Sequence, residues 1–227
     1  MRMRKKKNGA ERLAACESFL CKAPECHEGE SVWLEIGAGK GGFACGMAVK
    51  NPEVHYYAME RVADCVVLAA ERAAATHLAT GALGNLKFII NNADNLPSLF
   101  REGSVDRIFL NFSDPWPKKG YAKRRLTHRR YLDMYMKLLA PGGKLRFKTD
   151  NVGLFDFSLE EIEALGLGVD ILTRDLHSSE WQADNVITEY EAAFSSEGIK
   201  INMLELTRPE GYKAPEGAFD KPSRSEE

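Results

Sequence analysis

The sequence predicts a doubly wound α/β fold on a seven-stranded sheet, and three observations carry that prediction. Seven short runs rich in β-branched and aromatic residues alternate with helical patterns. A glycine-rich turn, Gly37 to Gly42, joins the first run to a helix. Polar residues fit for ligand contact, Glu60, Asn92, Asp114 and Asp150, fall at the ends of four runs, where open sheets of this kind bind ligands.

The first strand, Val32 to Ile36, leads through Gly37-Ala38-Gly39-Lys40-Gly41-Gly42 into a helix from Phe43 to Val49, which Asn51-Pro52 stops. After the second strand, His55 to Met59, the spacing of Ala63, Val66, Val67, Ala70 and Ala74 predicts a helix with one buried face. The third strand, Leu86 to Ile90, ends in Asn91-Asn92-Ala93-Asp94, and the fourth, Arg107 to Leu110, in the segment Asn111 to Lys119. Thr127 is a candidate N-cap for a helix whose apolar stripe is Leu132, Tyr135, Leu138 and Leu139. Pro141-Gly142-Gly143 is expected to end that helix before the fifth strand, Lys144 to Lys148, with Asp150 at the carboxyl edge. Val169 to Leu172 and Ile199 to Leu206 complete the set.

A chain of 227 residues is long enough for one well-buried domain. Residues 11–208 are expected as the catalytic domain, residues 1–10 as a flexible basic arm and residues 209–227 as a disordered tail. With 44% hydrophobic and 28% charged residues the composition is that of an ordinary globular protein. No apolar run is long enough to span a bilayer, and the basic N-terminus leads into no secretory signal, so a cytoplasmic protein without a membrane partner is expected. An odd number of cysteines, five, argues for reduced thiols. Cys21, Cys26 and His27 lack the paired spacing of a zinc site, and no metal is expected.

The net charge of −2 hides a strong asymmetry. Met1 to Lys7 carries five Lys or Arg and Lys118 to Arg130 carries seven, with no acid in either segment, so the remainder of the chain stands at −14. Two concentrated basic patches on an acidic body point to a polyanionic partner.

Gly37, Gly39 and Gly42 satisfy G-x-G-x-x-G, and Glu60 follows Gly37 by 23 residues, a layout shared by dinucleotide and S-adenosylmethionine sites. Glu35 separates the two. A carboxylate beside the loop would repel a pyrophosphate and suits the cationic amino acid end of S-adenosylmethionine, which favours a Rossmann-like class I S-adenosylmethionine-dependent methyltransferase. In that reading Gly37 and Gly39 let the cofactor approach the backbone, Glu60 accepts from the ribose hydroxyls and Asn92, ahead of Asp94, reads the adenine amino group. The plainer alternatives are an exposed Glu60 pairing with Arg61 and a turn-forming Asn92.

The most specific stretch is Asn111-Phe112-Ser113-Asp114-Pro115-Trp116-Pro117-Lys118-Lys119. Together with Lys123 to Thr127, Phe147 to Asn151 and Thr188 to Glu191, it resembles the signature blocks of the bacterial tRNA guanine-N(7) methyltransferase family, over a region from about Val32 to Phe194. The resemblance implies methyl transfer to guanine 46 of the tRNA variable loop. It implies cofactor and catalytic roles for Glu35, Glu60, Asn92 and Asp114, and substrate contacts for Lys118, Asp150, Thr188 and Glu191. Where the family often carries Arg-His, this chain has Gly120-Tyr121.

Guanine nitrogen-7 has a lone pair and no proton, so its methylation needs alignment and charge stabilisation more than a strong base. Asp114 suits that role, its alternative being a capping carboxylate in an Asp-Pro turn. Lys119, Lys123, Arg124 and Arg125, with Lys118, Arg129 and Arg130, are expected to contact phosphate. Trp116 is read equally as a stacking or a packing residue. His128 is read as a solvated surface residue and His177 as structural. A methyltransferase with another acceptor, a non-catalytic RNA-binding protein of this fold and a dehydrogenase are the competing readings. Oligomeric state, a homodimer included, is left open.

Overall fold

The computed structural model describes residues 6–25, 29–195 and 197–219. Most of the basic segment Met1 to Lys7, the pair Cys26-His27 and residues 220–227 of the expected tail lie outside the described residues.

One sheet contains β1 (Val32–Ile36), β2 (His55–Glu60), β3 (Leu86–Ile90), β4 (Val105–Asn111), β5 (Leu139–Thr149), β6 (Ile171–Thr173) and β7 (Asn202–Thr207). Its order is β3-β2-β1-β4-β5-β7-β6. The first five strands are parallel, and β7 runs antiparallel to both of its neighbours. The chain winds outward from β1 through β3 and returns to β4 on the other side. The carboxyl ends of β1 and β4 therefore flank the switch point at which doubly wound sheets bind ligands.

The helices are α1 (Gly9–Ala14), α2 (Gly42–Lys50), α3 (Ala63–Thr80), α4 (Leu96–Leu99), α5 (Arg129–Leu138), α6 (Val152–Glu163) and α7 (Glu189–Ser195). Alternation along the strands builds two large cores, beside a smaller cluster of Leu176, Ile201 and Met203. Leu34, Ile36, Tyr57 and Met59 face α4, α5 and α6. Tyr56, Ala58 and Phe109 face α2 and α3 on the other side. Glu35 pairs in register with Ala58 and Phe109, so it points to the α2 side. Burial of a side chain such as Leu34, fully enclosed, contributes about 1.5–3 kcal/mol.

Gly41 is obligatory where α2 begins. Its φ is +73°, and a Cβ there would stand 2.8 Å from Ala69 Cβ and 3.0 Å from the Phe88 ring.

Three details differ from the sequence reading. The N-cap of α5 is His128, not Thr127: the His128 ring accepts from Arg130 N–H at 3.2 Å, while the Thr127 hydroxyl is buried and hydrogen-bonded to the Ser158 hydroxyl at 2.7 Å. His128 is thus no solvated surface residue, and burial, with Arg129, Arg130 and Lys123 nearby, lowers its pKa against the pull of Glu161. The Pro141-Gly142-Gly143 turn lies inside β5, as a bulge between the Val105 and Arg107 pairings. The helix has already ended at Leu138, and Gly142 takes up the bend at φ +76°.

A few described residues of the expected arm and tail contact the domain. Lys6 N–H donates to Asp64 at 2.7 Å. Tyr212 donates to Asp133 at 3.4 Å, Arg129 donates to the Ala218 carbonyl at 2.9 Å, and Ala218 is buried.

Candidate active site

A cleft of about 1270 Å³ opens at the carboxyl ends of β1, β2, β3 and β4. Its walls include Gly37, Glu60, Asn92, Asp94, Asn111, Asp114, Trp116 and Arg124. A smaller cleft of about 500 Å³ lies at the other end of the strands, among Pro24, Arg101 and Asp106, and contains none of the residues singled out by the sequence.

Glu35 sits beside the glycine loop with 2% of its surface exposed. One carboxylate oxygen accepts from Asn111 Nδ2 at 3.0 Å, and the other, Oε2, has no hydrogen-bond partner among the described residues. Burial pushes the Glu35 carboxyl up to about 7, held back by the Asn111 hydrogen bond and the charge of Lys148. A buried carboxylate with a vacant oxygen is a place for a cationic donor.

Glu60 ends β2, and its two oxygens accept from Gly39 N–H at 3.1 Å and Val62 N–H at 2.8 Å. It ties the glycine loop to the start of α3 rather than pairing with Arg61. Each oxygen keeps a second lone pair for an outside donor. Asn92 caps the turn after β3 through a long 3.5 Å contact with Asp94 N–H, so its side-chain oxygen is only weakly engaged. Asp94 is taken up by Arg130 at 2.8 Å.

Asp114 lies on a strained loop. Phe112 and Trp116, two residues to either side of it, have φ of +51° and +41°. Bulky residues in left-handed backbone cost about 1–2 kcal/mol each. The loop is held by Arg125, which donates to the carbonyls of Pro115 at 2.9 Å and Trp116 at 3.0 Å. The Asp114 carboxylate stays exposed in the cleft, its nearest cation being Arg61 at 3.8 Å.

The basic segment divides in two. Arg125 braces the loop, and Arg129 is bound to the buried Glu161 at 2.7 Å. Lys118, Lys119, Lys123 and Arg124 are exposed and make no ion pair among the described residues. Asp150 follows the tip of β5 with a carboxylate that has no partner among the described residues.

Thr188 and Glu191 are brought together, but not at the cleft wall. Glu191 N–H donates to the Thr188 hydroxyl at 2.9 Å and Thr188 N–H donates to Glu191 at 3.3 Å, a reciprocal capping box at the start of α7. Glu191 is fully buried and also accepts from Lys148 at 2.8 Å, His177 at 2.7 Å and Asn185. Lys148 uses its remaining N–H groups on Asn185 and the Val186 carbonyl. Burial pushes the Lys148 amine down, and burial of Glu191 is outweighed by Lys148, His177 and Asn185, which leave it below the usual carboxylate range. This network pins residues 176–195 over α2, where Val186 approaches so closely that a Cβ on Gly46 would lie 2.7 Å from it.

The sequence assigned no role to Asn185, nor to Asn111 and Lys148, although the last two lie within the signature blocks. The Thr-x-x-Glu spacing did carry a signal, that of a capping box.

An acid beside a glycine loop, a second at the tip of β2 and a third after β4, on a sheet whose β7 is antiparallel, define a class I methyltransferase. A family model described as putative methyltransferase matches residues 29–204. The tRNA (guanine-N(7)-)-methyltransferase of Geobacillus sp. (strain WCH70) is 39% identical, covering 92% of this chain and 96% of the relative. That of Streptococcus equi subsp. zooepidemicus is 38% identical over 91% of this chain and all of the relative, 100%. The chain therefore belongs to the tRNA (guanine-N(7)-)-methyltransferase family. Among solved structures, the 16S rRNA methyltransferase KamB shares the fold at a TM-score of 0.60 and 16% identity, covering 92% of this chain and 96% of that one. A 16S rRNA (adenine(1408)-N(1))-methyltransferase from Catenulisporales acidiphilia, solved with its cosubstrate, gives 0.59 and 16%, covering 93% and 96%.

Among the described residues no group of three or more His, Cys, Asp or Glu could hold a metal ion, and no helix is long and apolar enough to cross a membrane.

Proposed function

We infer that this chain transfers the methyl group of S-adenosylmethionine to nitrogen-7 of a guanine in tRNA, guanine 46 of the variable loop. One observation carries the reading: a strained loop holds an exposed carboxylate, Asp114, on the wall of the cleft that also contains Glu60 and the glycine loop, beside an unpaired basic rim. The names of the relatives supply the acceptor atom and the tRNA.

The residues present fit the cofactor. The vacant Glu35 oxygen suits an ammonium group, the free lone pairs of Glu60 suit ribose hydroxyls and the weakly engaged Asn92 oxygen suits an adenine amine. When bound, S-adenosylmethionine supplies an electrophilic methyl on a sulfonium.

Asp114 accepts from the ring nitrogen-1 hydrogen and the exocyclic amine of the guanine. Its negative charge then stabilises the positive charge that grows on the purine as nitrogen-7 forms its bond. No proton leaves nitrogen-7, so the protein needs no strong base there. Lys118, Lys119, Lys123 and Arg124 hold phosphates and set the register. Asp150 contacts the acceptor nucleotide from the tip of β5. Thr188 and Glu191, each already facing the other, serve the substrate by fixing α7. A tRNA substrate puts this work in the cytoplasm.

Labelled methyl transfer to unmodified bulk tRNA, followed by nucleoside mapping, tests the reading. Label confined to 7-methylguanosine is expected. Label in another nucleoside would establish a different acceptor, and bound but unmodified tRNA would leave a non-catalytic RNA-binding protein.

A further inference from the structure

We propose that Tyr121, with Trp116 and Arg124, forms a stacking corner for an unpaired nucleobase adjoining the target guanine. The inference rests on the RNA-acceptor reading above and adds a contact to it. The rings of Trp116 and Tyr121 meet edge to face, 5.9 Å between centroids and 81° between planes. The Arg124 guanidinium closes the corner, 5.1 Å from the Trp116 centroid and 4.5 Å from that of Tyr121. Trp116 and Arg124 line the same cleft as Asp114.

Among the described residues, neither ring of this corner belongs to an apolar cluster. Tyr121 is 40% exposed. Its hydroxyl makes no hydrogen bond, and the Arg124 side chain makes neither hydrogen bond nor ion pair, among the described residues. Arg125 bonds the Pro115 and Trp116 carbonyls and so ties the Asp114 loop to the turn Lys119–Arg124. Gly120 leaves the approach to Tyr121 open, since a Cβ there would meet nothing within 4 Å.

Two aromatic rings, with a guanidinium over them that makes no ion pair among the described residues, are more than a phosphate needs. Bases splayed out of single-stranded loops stack on aromatic rings and on Arg planes, and stacking accepts any base because every base has a π face. The ligand class is therefore an unstacked nucleobase, with its phosphate toward Lys119 and Lys123.

A double-mutant cycle on the full chain tests this. Filter binding measures the affinity of wild type, Tyr121→Ala and Tyr121→Phe for an unmodified tRNA transcript, and for transcripts made abasic on the 5′ or the 3′ side of the target guanine. Tyr121→Ala should weaken binding to the intact transcript roughly tenfold, and Tyr121→Phe less than twofold. One abasic transcript should bind wild type about as weakly as Tyr121→Ala binds the intact one, with no added loss in the variant. An equal tenfold loss on all three transcripts, or no loss on the intact one, overturns the proposal. Methyl transfer by wild type on the same transcript is scored separately: its absence would sink the acceptor reading, while the affinity cycle would still decide the stacking contact.

Discussion

Asn111 Nδ2 donates to one Glu35 oxygen at 3.0 Å, across the β1–β4 seam, and leaves the other oxygen without a donor among the described residues. The pair joins the floor of the methyl-transfer cleft to a buried charge whose folded-state pKa, about 7, lies above its ordinary value of 4.5. A raised carboxyl pKa gives stability that is complete below the unfolded value and lost as pH rises through the folded one. Between pH 4.5 and 7 the free protein should therefore lose up to about 3 kcal/mol relative to Glu35→Gln. Thermal unfolding of both proteins from pH 5 to 8 checks it, and a constant difference in Tm would contradict it. Cofactor affinity should move the opposite way, rising with pH toward about 7 in wild type and staying low and flat in Glu35→Gln.

Lys148→Met should destabilise the fold by about 3–5 kcal/mol, because it leaves Glu191 buried without its cation. Adding Glu191→Gln should recover part of that loss, since the uncompensated charge is then gone. Denaturant melts of the two single variants and the double variant read the coupling directly. Strict additivity would show that the pair does not hold residues 176–195 in place.

Affinity for tRNA should fall steeply with salt, and the unpaired Lys118, Lys119 and Lys123 should carry much of that dependence. Replacing all three with Ala should flatten the log-log salt slope by roughly two to three units, at about 0.7–0.9 per phosphate contact. Arg125→Ala should behave differently, with a small change in slope and a larger loss of methyl transfer, because its guanidinium holds the Asp114 loop. Equal slope changes per residue in the two variants would put Arg125 back among the phosphate contacts.

The strands were legible because a sheet buried on both faces writes itself as apolar runs, and β1 and β3 begin and end where the residue pattern does. The glycine loop was legible because left-handed backbone selects glycine. Side-chain assignments were harder to read wherever two residues could do the same work. Thr127 and His128 can both cap α5, and the choice follows from Ser158, 31 residues away, which claims the threonine hydroxyl. Lys148 looks in sequence like one more strand lysine, and its burial depends on Glu191, 43 residues on. The run from Lys118 to Arg130 reads as one charged surface, yet Arg125 and Arg129 turn inward to carbonyls and a buried acid. Those contacts depend on tertiary neighbours that local pattern does not encode.

Methyl transfer turns on the Asp114 carboxylate, and Asp114→Asn isolates it. The substitution keeps size while removing the negative charge and turning one acceptor into a donor that would face the guanine's own donors. Asp114 is exposed and braces no part of the fold, so folding and cofactor binding should persist. Single-turnover methyl transfer on preformed complex with tRNA separates chemistry from binding. The rate should fall roughly a hundredfold to a thousandfold, the usual worth of a positioned electrostatic group. A rate within a few-fold of wild type would contradict the account, reduce Asp114 to a turn residue and move the acceptor pocket toward Asp150.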